Sequence, residues 1–202
     1  MTGTIVLLNG APRSGKSSIA RAMQARLDGV WVNFGVDAAM AMQPAAIAPG
    51  IGLRPGGERP DLEPVVRQLY GALFDSIAAY ARAGVNVVSD VGIHDAYSRP
   101  LGVLDDAVRR LNGLPVLFVG VKAPIETIMA RRNADPQGGY YAAGDDVPAP
   151  VQLWQAAPHA HGVYDLEIDT GAVTAEQAAE AIGAMIQSRP KVTAFERLRT
   201  RN

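Results

Sequence analysis

A phosphate-binding loop near the N-terminus constrains the fold of this chain more than any other feature. Residues 10–17 read Gly-Ala-Pro-Arg-Ser-Gly-Lys-Ser, a complete G-x-x-x-x-G-K-S/T pattern. An apolar run at 5–8 precedes the loop, and a helix-like stretch at 18–27 follows it. This strand–loop–helix setting suits an anion site, because the helix N-terminus adds its partial positive charge. The sequence therefore predicts a nucleoside-triphosphate site in an α/β fold, the alternative being a glycine-rich turn of similar pattern.

The residues of this loop, called the P-loop below, have separate expected roles. Its two glycines let the backbone wrap so that successive N–H groups point at phosphate oxygens. Lys16 is expected to reach the β- and γ-phosphates, and the Ser17 hydroxyl to help coordinate Mg²⁺. The predicted nucleotide contacts are Gly10, Ala11, Pro12, Arg13, Ser14, Gly15, Lys16, Ser17 and Ser18.

Strand and helix patterns alternate along the chain, which predicts a doubly wound parallel five-stranded sheet with helices on both faces. The predicted strands cover 4–8, 30–34, 85–90, 115–121 and 164–169. The predicted helices cover 18–27, 61–83, 97–111, 125–132, 151–157 and 174–187. Asp61 is the predicted N-cap of the second of these, and Gly84 its C-terminal cap. Two irregular segments, 43–60 and 133–150, are expected over the carboxyl ends of the strands, the second as a lid.

Length, composition and charge bound the class of protein. The 202 residues, 48% of them hydrophobic, suit a single domain over 1–188 followed by a basic tail over 189–202. That tail holds five basic residues and one acidic residue, so the rest of the chain has a net charge of −5, which argues against a nucleic-acid surface. There is no cysteine for a disulfide or a thiolate zinc site, and no apolar run near 18 residues. We expect a cytoplasmic protein that binds no membrane, and homo-oligomerisation stays open.

Two aspartates at the ends of predicted strands are candidates for the chemistry that follows nucleotide binding. Asp90 ends a buried strand in the manner of an aspartate that holds Mg²⁺, although a helix N-cap or a structural salt bridge would also suit it. Asp37 ends the preceding strand, where a carboxylate could accept the proton of a substrate hydroxyl as that hydroxyl attacks the γ-phosphate. From position alone, an N-cap of the helix that starts near residue 38 is the alternative for Asp37.

Two arginines, Arg131 and Arg132, end the helix that leads into the second irregular segment. Guanidinium groups suit the charge that develops on a transferred phosphoryl group. Favourable placement at a helix C-terminus is the other explanation, and the sequence does not separate the two residues. His94 could line an acceptor pocket or be an ordinary hydrogen-bonded loop histidine.

Several short blocks make the chain resemble the chloramphenicol phosphotransferase family of P-loop kinases, over residues 4 to about 170. They are Ile-Val-Leu-Leu-Asn-Gly at 5–10, Phe-Gly-Val-Asp at 34–37, Val-Ser-Asp-Val at 88–91, Val-Gly-Val at 119–121 and His-Gly-Val-Tyr-Asp-Leu-Glu-Ile-Asp-Thr at 161–170. The resemblance implies that Asp37 is the base for the acceptor's primary hydroxyl and that ATP is the donor. It also implies that adenine lies between a lid arginine and the loop at Thr170.

The sequence favours an ATP- and Mg²⁺-dependent kinase that phosphorylates a hydroxyl of a small molecule, for which a chloramphenicol-like antibiotic is a candidate. A kinase of a sugar, a shikimate-like acid or a nucleoside would share the chemistry and differ in the acceptor pocket. A nucleotide-binding homologue without acceptor activity is a further alternative. A nucleotide-controlled switch is disfavoured, because the chain lacks the Asn/Thr-Lys-x-Asp motif that reads guanine.

Overall fold

The computed structural model describes residues 2–135, 144, 146–188 and 192–200. These residues form a five-stranded parallel sheet with the strand order β2-β3-β1-β4-β5. The strands are β1 Ile5–Asn9, β2 Trp31–Asn33, β3 Asn86–Val91, β4 Val116–Lys122 and β5 Leu166–Asp169. The order places β1 in the centre, so the P-loop emerges between the ends of β3 and β4. The predicted fold class is confirmed.

Helices cover both faces of this sheet. They are α1 Lys16–Arg26, α2 Val36–Ala41, α3 Glu63–Arg82, α4 Val103–Arg110, α5 Ile125–Ala134, α6 Ala149–Ala156, α7 Ala175–Ser188 and α8 Ala194–Arg199. Short 3₁₀ turns lie at Ala45–Ile47, Gly50–Gly52 and Ala157–His159. On one face α1 and α7 bury Ile19, Met23 and Ile182 against the sheet. On the other face α3, α4 and α8 enclose a core that includes Phe74 and Phe118.

Two predicted helix starts are wrong. α4 begins at Val103 and not at residue 97, because the Asp95 carboxylate accepts the backbone N–H groups of Leu101 and Gly102 and holds this segment in a turn. α3 begins at Glu63, and Asp61 pairs with Arg59 at 2.9 and 2.7 Å instead of capping the helix. The predicted C-terminal cap is confirmed, since Gly84 follows α3 with a φ of +86°.

Part of the predicted C-terminal tail packs onto the sheet. α8 contacts α4 and β4, and the rings of Phe195 and Phe118 meet edge to face at 5.5 Å. The basic residues Arg189, Lys191 and Arg201 of the tail lie outside the described residues, as do 136–143 and 145 of the second irregular segment. Among the helices that the structure describes, none has the length and apolar character needed to cross a membrane.

Candidate active site

The P-loop adopts the curled backbone that an anion site needs. Arg13 and Gly15 have φ angles of +65° and +98°, in the left-handed region. A Cβ at Gly10 would lie 2.1 Å from the carbonyl oxygen of Val121, so only glycine permits this approach to β4. A backbone that alternates between right-handed and left-handed conformations forms a concave nest of N–H groups. The loop therefore fits a phosphate group.

Lys16 is folded back inside the loop. Its Nζ donates hydrogen bonds to the carbonyl oxygens of Gly10 and Ala11 at 2.8 and 2.7 Å. Burial lowers the pKa of Lys16 to about 8, against the opposing charges of Asp90 and Asp37. At neutral pH the amine is thus an ammonium held at the centre of the loop.

Asp90 and Ser17 offer adjacent oxygen atoms suited to a hard cation. Asp90 lies within β3 and is therefore not a helix N-cap. Its Oδ2 is 3.3 Å from the Ser17 hydroxyl, and the residue is 7% exposed. Burial and the charge of Asp37 raise the pKa of the Asp90 carboxyl, and Lys16 opposes them. A hydroxyl and a carboxylate, completed by phosphate oxygens and water, are the ligand types that Mg²⁺ takes in nucleotide sites, so these residues fit the ion.

Asp37 belongs to the first turn of α2, next to this site. The N-cap of α2 is Gly35, which excludes the capping role for Asp37. Gly35 is pressed against β3, because a Cβ there would lie 1.9 Å from Asp90 Oδ1. The exposed Asp37 carboxylate is close enough for its charge to raise the pKa values of both Lys16 and Asp90. The structure thus brings these three predicted residues into one electrostatic environment.

Arg131 joins α5 to the P-loop and to the end of β5. Its guanidinium donates to the carbonyl oxygen of Arg13 at 3.1 Å and to the hydroxyl and carbonyl oxygens of Thr170 at 2.9 Å each. The Thr170 hydroxyl in turn donates to the carbonyl oxygen of Ser14 at 2.7 Å. Arg132, the next residue of α5, is half-buried and points about 100° away around the helix. Arg131 is therefore the arginine that the structure fixes beside the loop.

The remaining residues that were predicted to contact the nucleotide differ in exposure. Pro12 and Ser18 are exposed, and the Ser18 hydroxyl accepts a hydrogen bond from Arg21 at 3.2 Å. Ser14 is 1% exposed, and its hydroxyl has no hydrogen-bond partner within the described ranges. A cavity of about 430 Å³ lies beside this part of the loop, on the side of β4 and β5. It is lined by Ala11, Ser14, Val121, Lys122, Ala123, Pro124, Ile128, Gln155, His159 and Asp169.

An aromatic cluster stands over the end of β3. Trp154 of α6 packs on Gly92, where a Cβ would lie 2.8 Å from its ring. The His94 ring meets Trp154 edge to face at 5.1 Å, and its Nε2 lies 3.3 Å from the carbonyl oxygen of Leu53. Burial lowers the pKa of His94 to about 4, so the imidazole is neutral at physiological pH. The cluster joins α6, the β3 end and the first irregular segment.

The arginines of that first irregular segment are occupied by neighbouring carboxylates. Arg54 forms an ion pair with Glu58, and Arg59 forms one with Asp61. The segment is also fixed to the region after β3, where Gly56 donates its N–H to the Ala96 carbonyl oxygen at 2.8 Å. These pairs neutralise much of the positive charge that would attract an anionic acceptor.

Asn9, which was not predicted from the sequence, is fully buried at the end of β1 and forms hydrogen bonds to Ile93, Pro158 and Tyr164. The signal in the sequence was a single polar residue that ends the apolar run at 5–8. A single polar residue does not identify its hydrogen-bond partners, because each of them lies far away along the chain.

Comparison with known proteins places this chain in a family of phosphotransferase-like proteins. The model of the family described as "Chloramphenicol phosphotransferase-like protein" matches residues 3–187. Two Mycobacterium tuberculosis proteins, from strains CDC 1551 / Oshkosh and H37Rv, are each 30% identical to this chain. Each alignment covers 98% of this chain and 89% of the relative, and both relatives bear the name "Putative O-phosphotransferase".

Solved structures of P-loop kinases share the fold. The Mycobacterium tuberculosis APS kinase in complex with AMPPNP and APS superposes with a TM-score of 0.64 at 16% identity, over 92% of this chain and 98% of the kinase. Shikimate kinase from Acinetobacter baumannii gives a TM-score of 0.60 at 15% identity, over 94% of this chain and 96% of the kinase. At these identities the likeness concerns the fold.

Proposed function

The chain belongs to the chloramphenicol phosphotransferase-like family, and on that premise we propose that it is an ATP-dependent kinase acting on the hydroxyl of a small molecule. The supporting observation is the shared electrostatic environment of Lys16, Asp90 and Asp37 at the mouth of the P-loop. It combines a cation for the phosphates, oxygen ligands for a metal, and a carboxylate next to both. Phosphoryl transfer needs positioning and charge stabilisation more than covalent help from the protein.

The proposed reaction assigns each group a step. The P-loop N–H groups and Lys16 hold the β- and γ-phosphates, and Asp37 accepts the proton of the acceptor hydroxyl. The hydroxyl oxygen forms a bond to the γ-phosphorus as the bond to the β-phosphate oxygen breaks, and ADP leaves. Magnesium bound at Ser17 and Asp90 would neutralise charge on the transferred group. Arg131, held at the P-loop edge, and its neighbour Arg132 are the proposed sources of further positive charge.

For the acceptor we propose a neutral alcohol, with a chloramphenicol-like antibiotic as the first candidate. The ion pairs of Arg54 and Arg59 with neighbouring carboxylates support a neutral acceptor over an acidic metabolite. The cluster of His94 and Trp154 beside the β3 end, neutral and aromatic, is consistent with an apolar wall.

An ADP-release assay with Mg·ATP and a panel of hydroxylated antibiotics and metabolites tests this proposal, with Asp37→Asn assayed in parallel. We expect turnover of a neutral alcohol, and a loss of kcat on the order of 10²-fold in Asp37→Asn with nucleotide affinity retained. Asp28→Asn is the control, because Asp28 is an exposed carboxylate ahead of β2, at the opposite end of the sheet. Full turnover by Asp37→Asn would remove the proposed base, and the absence of any acceptor would favour a nucleotide-binding homologue.

A further inference from the structure

The side-chain amide of Asn9 forms hydrogen bonds to three residues that lie far away along the chain. Its Oδ1 accepts the backbone N–H of Ile93 at 2.7 Å, 84 residues away along the chain. Its Nδ2 donates to the carbonyl oxygen of Pro158 at 2.8 Å and to the hydroxyl of Tyr164 at 2.9 Å. With 0% exposure, the amide has no water to replace these partners. One side chain therefore ties the end of β1 to two other parts of the molecule.

Both of these parts are connected to the aromatic cluster of His94 and Trp154, the proposed wall of the acceptor site. Ile93 lies between Gly92, on which Trp154 packs, and His94 of the aromatic cluster. Pro158 follows α6, the helix that carries Trp154, and is 3₁₀-helical. Asn9 itself is the residue before the P-loop. Its amide thus fixes the start of the nucleotide loop relative to the aromatic cluster.

The amide can satisfy these partners in only one orientation. A backbone N–H requires an acceptor oxygen, and the Pro158 carbonyl requires a donor. Aspartate has nearly the same size and shape, but it would place a carboxylate oxygen against the Pro158 carbonyl oxygen. Asn9→Asp therefore keeps the volume of the side chain but loses the hydrogen bond to the Pro158 carbonyl oxygen. A carboxylate oxygen remains to accept the Ile93 N–H.

The P-loop has anchors that do not involve the Asn9 side chain. The Gly10 N–H donates to the Val91 carbonyl oxygen at 3.2 Å, and the Thr170 hydroxyl donates to the Ser14 carbonyl oxygen. Lys16 adds its two bonds to loop carbonyls. The loop should therefore keep its form when the Asn9 amide is altered, whereas the segments carrying His94 and Trp154 should shift.

We propose that Asn9 is a positioning residue for phosphoryl transfer, which sets the acceptor-side segments after β3 and after α6 relative to the P-loop. This inference rests on the proposed kinase function, because it concerns the placement of the acceptor opposite the γ-phosphate. A displacement of about 1 Å in such a site is enough to lower the rate on the order of 10²-fold.

Kinetics of Asn9→Asp test the role. We expect kcat/KM for the acceptor to fall on the order of 10²-fold, while the Kd for Mg·AMPPNP measured by calorimetry changes less than about threefold. Asn86→Asp is the matched control, because Asn86 makes the same kind of bond, from Thr4 N–H to its Oδ1 at 2.9 Å, at the opposite end of β3. An equal kinetic loss in Asn86→Asp, or a parallel loss of nucleotide affinity in Asn9→Asp, would overturn the proposal.

Tyr164→Phe provides a milder variant in case Asn9→Asp does not fold. It removes one partner of the amide and keeps the ring that packs on Phe118 at 4.8 Å. We expect an intermediate loss of acceptor kcat/KM with unchanged nucleotide affinity. Wild-type kinetics in this variant together with wild-type kinetics in a folded Asn9→Asp would refute the role.

A measurement without an acceptor separates this inference from the proposed function. In a Trp31→Phe background Trp154 is the remaining tryptophan. Acrylamide quenching of its fluorescence then measures how accessible the Trp154 ring is, and so how closely its segment packs against the protein. We expect stronger quenching in Asn9→Asp than in the background protein, and no change in Asn86→Asp. If the acceptor screen fails, the kinase proposal falls. The quenching result still decides whether Asn9 holds the segment of Trp154 in place. Unchanged quenching in Asn9→Asp would show that it does not.

Discussion

Lys16 illustrates how a single residue is tuned by its surroundings. The loop that cradles it removes it from water, which lowers its pKa, and the nearby charges of Asp90 and Asp37 limit that decrease. With a pKa of about 8, the amine is charged at neutral pH and loses its proton when the pH rises past that value. Phosphate binding by this residue should therefore depend on pH in the mildly alkaline range.

Nucleotide affinity is predicted to fall as the pH rises past 8. Below this pKa Lys16 is an ammonium that attracts polyphosphate, and above it the amine loses its proton. We expect Mg·AMPPNP to bind on the order of tenfold more weakly at pH 9 than at pH 7, measured by calorimetry. Lys16→Met should bind weakly at both values with no such dependence. A constant affinity in the wild type over this range would contradict the prediction.

At the scale of elements, the side chain of Arg131 connects α5 to the nucleotide loop. Arg131 reaches the Arg13 carbonyl oxygen and both oxygens of Thr170, so α5, the P-loop and the end of β5 meet at one guanidinium. The Arg13 side chain adds an ion pair to Asp135, directly after α5, at 2.9 Å. Arg132 lies on another side of the helix, so the two arginines should differ in their effect on nucleotide binding.

Arg131→Gln is predicted to weaken Mg·AMPPNP binding more than Arg132→Gln does. The first substitution removes a charge beside the P-loop and the hydrogen bonds that Arg131 donates there. We place the resulting loss of binding free energy at roughly 1.5–3 kcal/mol, the range for hydrogen bonds to charged groups. Equilibrium binding measured for both variants at one ionic strength provides the comparison. If Arg132→Gln costs the same or more, the assignment of Arg131 as the nucleotide-side arginine is wrong.

For the whole molecule, the buried neutral His94 couples stability to pH. The unfolded chain takes up this proton near pH 6.5, whereas the folded protein does so only near pH 4. The unfolded state therefore binds more protons between these values, and stability is lost as the pH falls through this window. His159, whose pKa burial also lowers to about 4, should act in the same direction.

His94→Gln is predicted to reduce the loss of stability on acidification. The free energy of unfolding by urea, measured at pH 6.5 and 4.5, should decrease in the wild type, with His94 contributing up to roughly 1.4 kcal/mol per pH unit. The variant should show a smaller decrease, because Gln takes up no proton. The difference between the two proteins isolates His94 from the titrating carboxylates. Identical pH dependences would mean that His94 is not held neutral by the fold.

The success of sequence reasoning differed between features. The strand–loop–helix motif predicted the P-loop setting, and the strand pattern predicted all five strands to within about two residues, whereas the central place of β1 came from the structure. The starts of α3 and α4 were mispredicted, because Arg59 and Asp95 make side-chain bonds that compete with helix formation. The catalytic role of Asp37 and the division at residue 188 stay predictions.

The sequence by itself determined the P-loop, the parallel sheet that alternating strands and helices imply, and Asp37 as a candidate base. These features depend on local spacing, which fixes backbone geometry within a few residues. Only the tertiary structure distinguished Arg131 from Arg132 and found Asn9 at the junction of three segments. The bonds concerned join residues up to 155 positions apart, and which groups meet at such separations is decided by the packing of the whole chain.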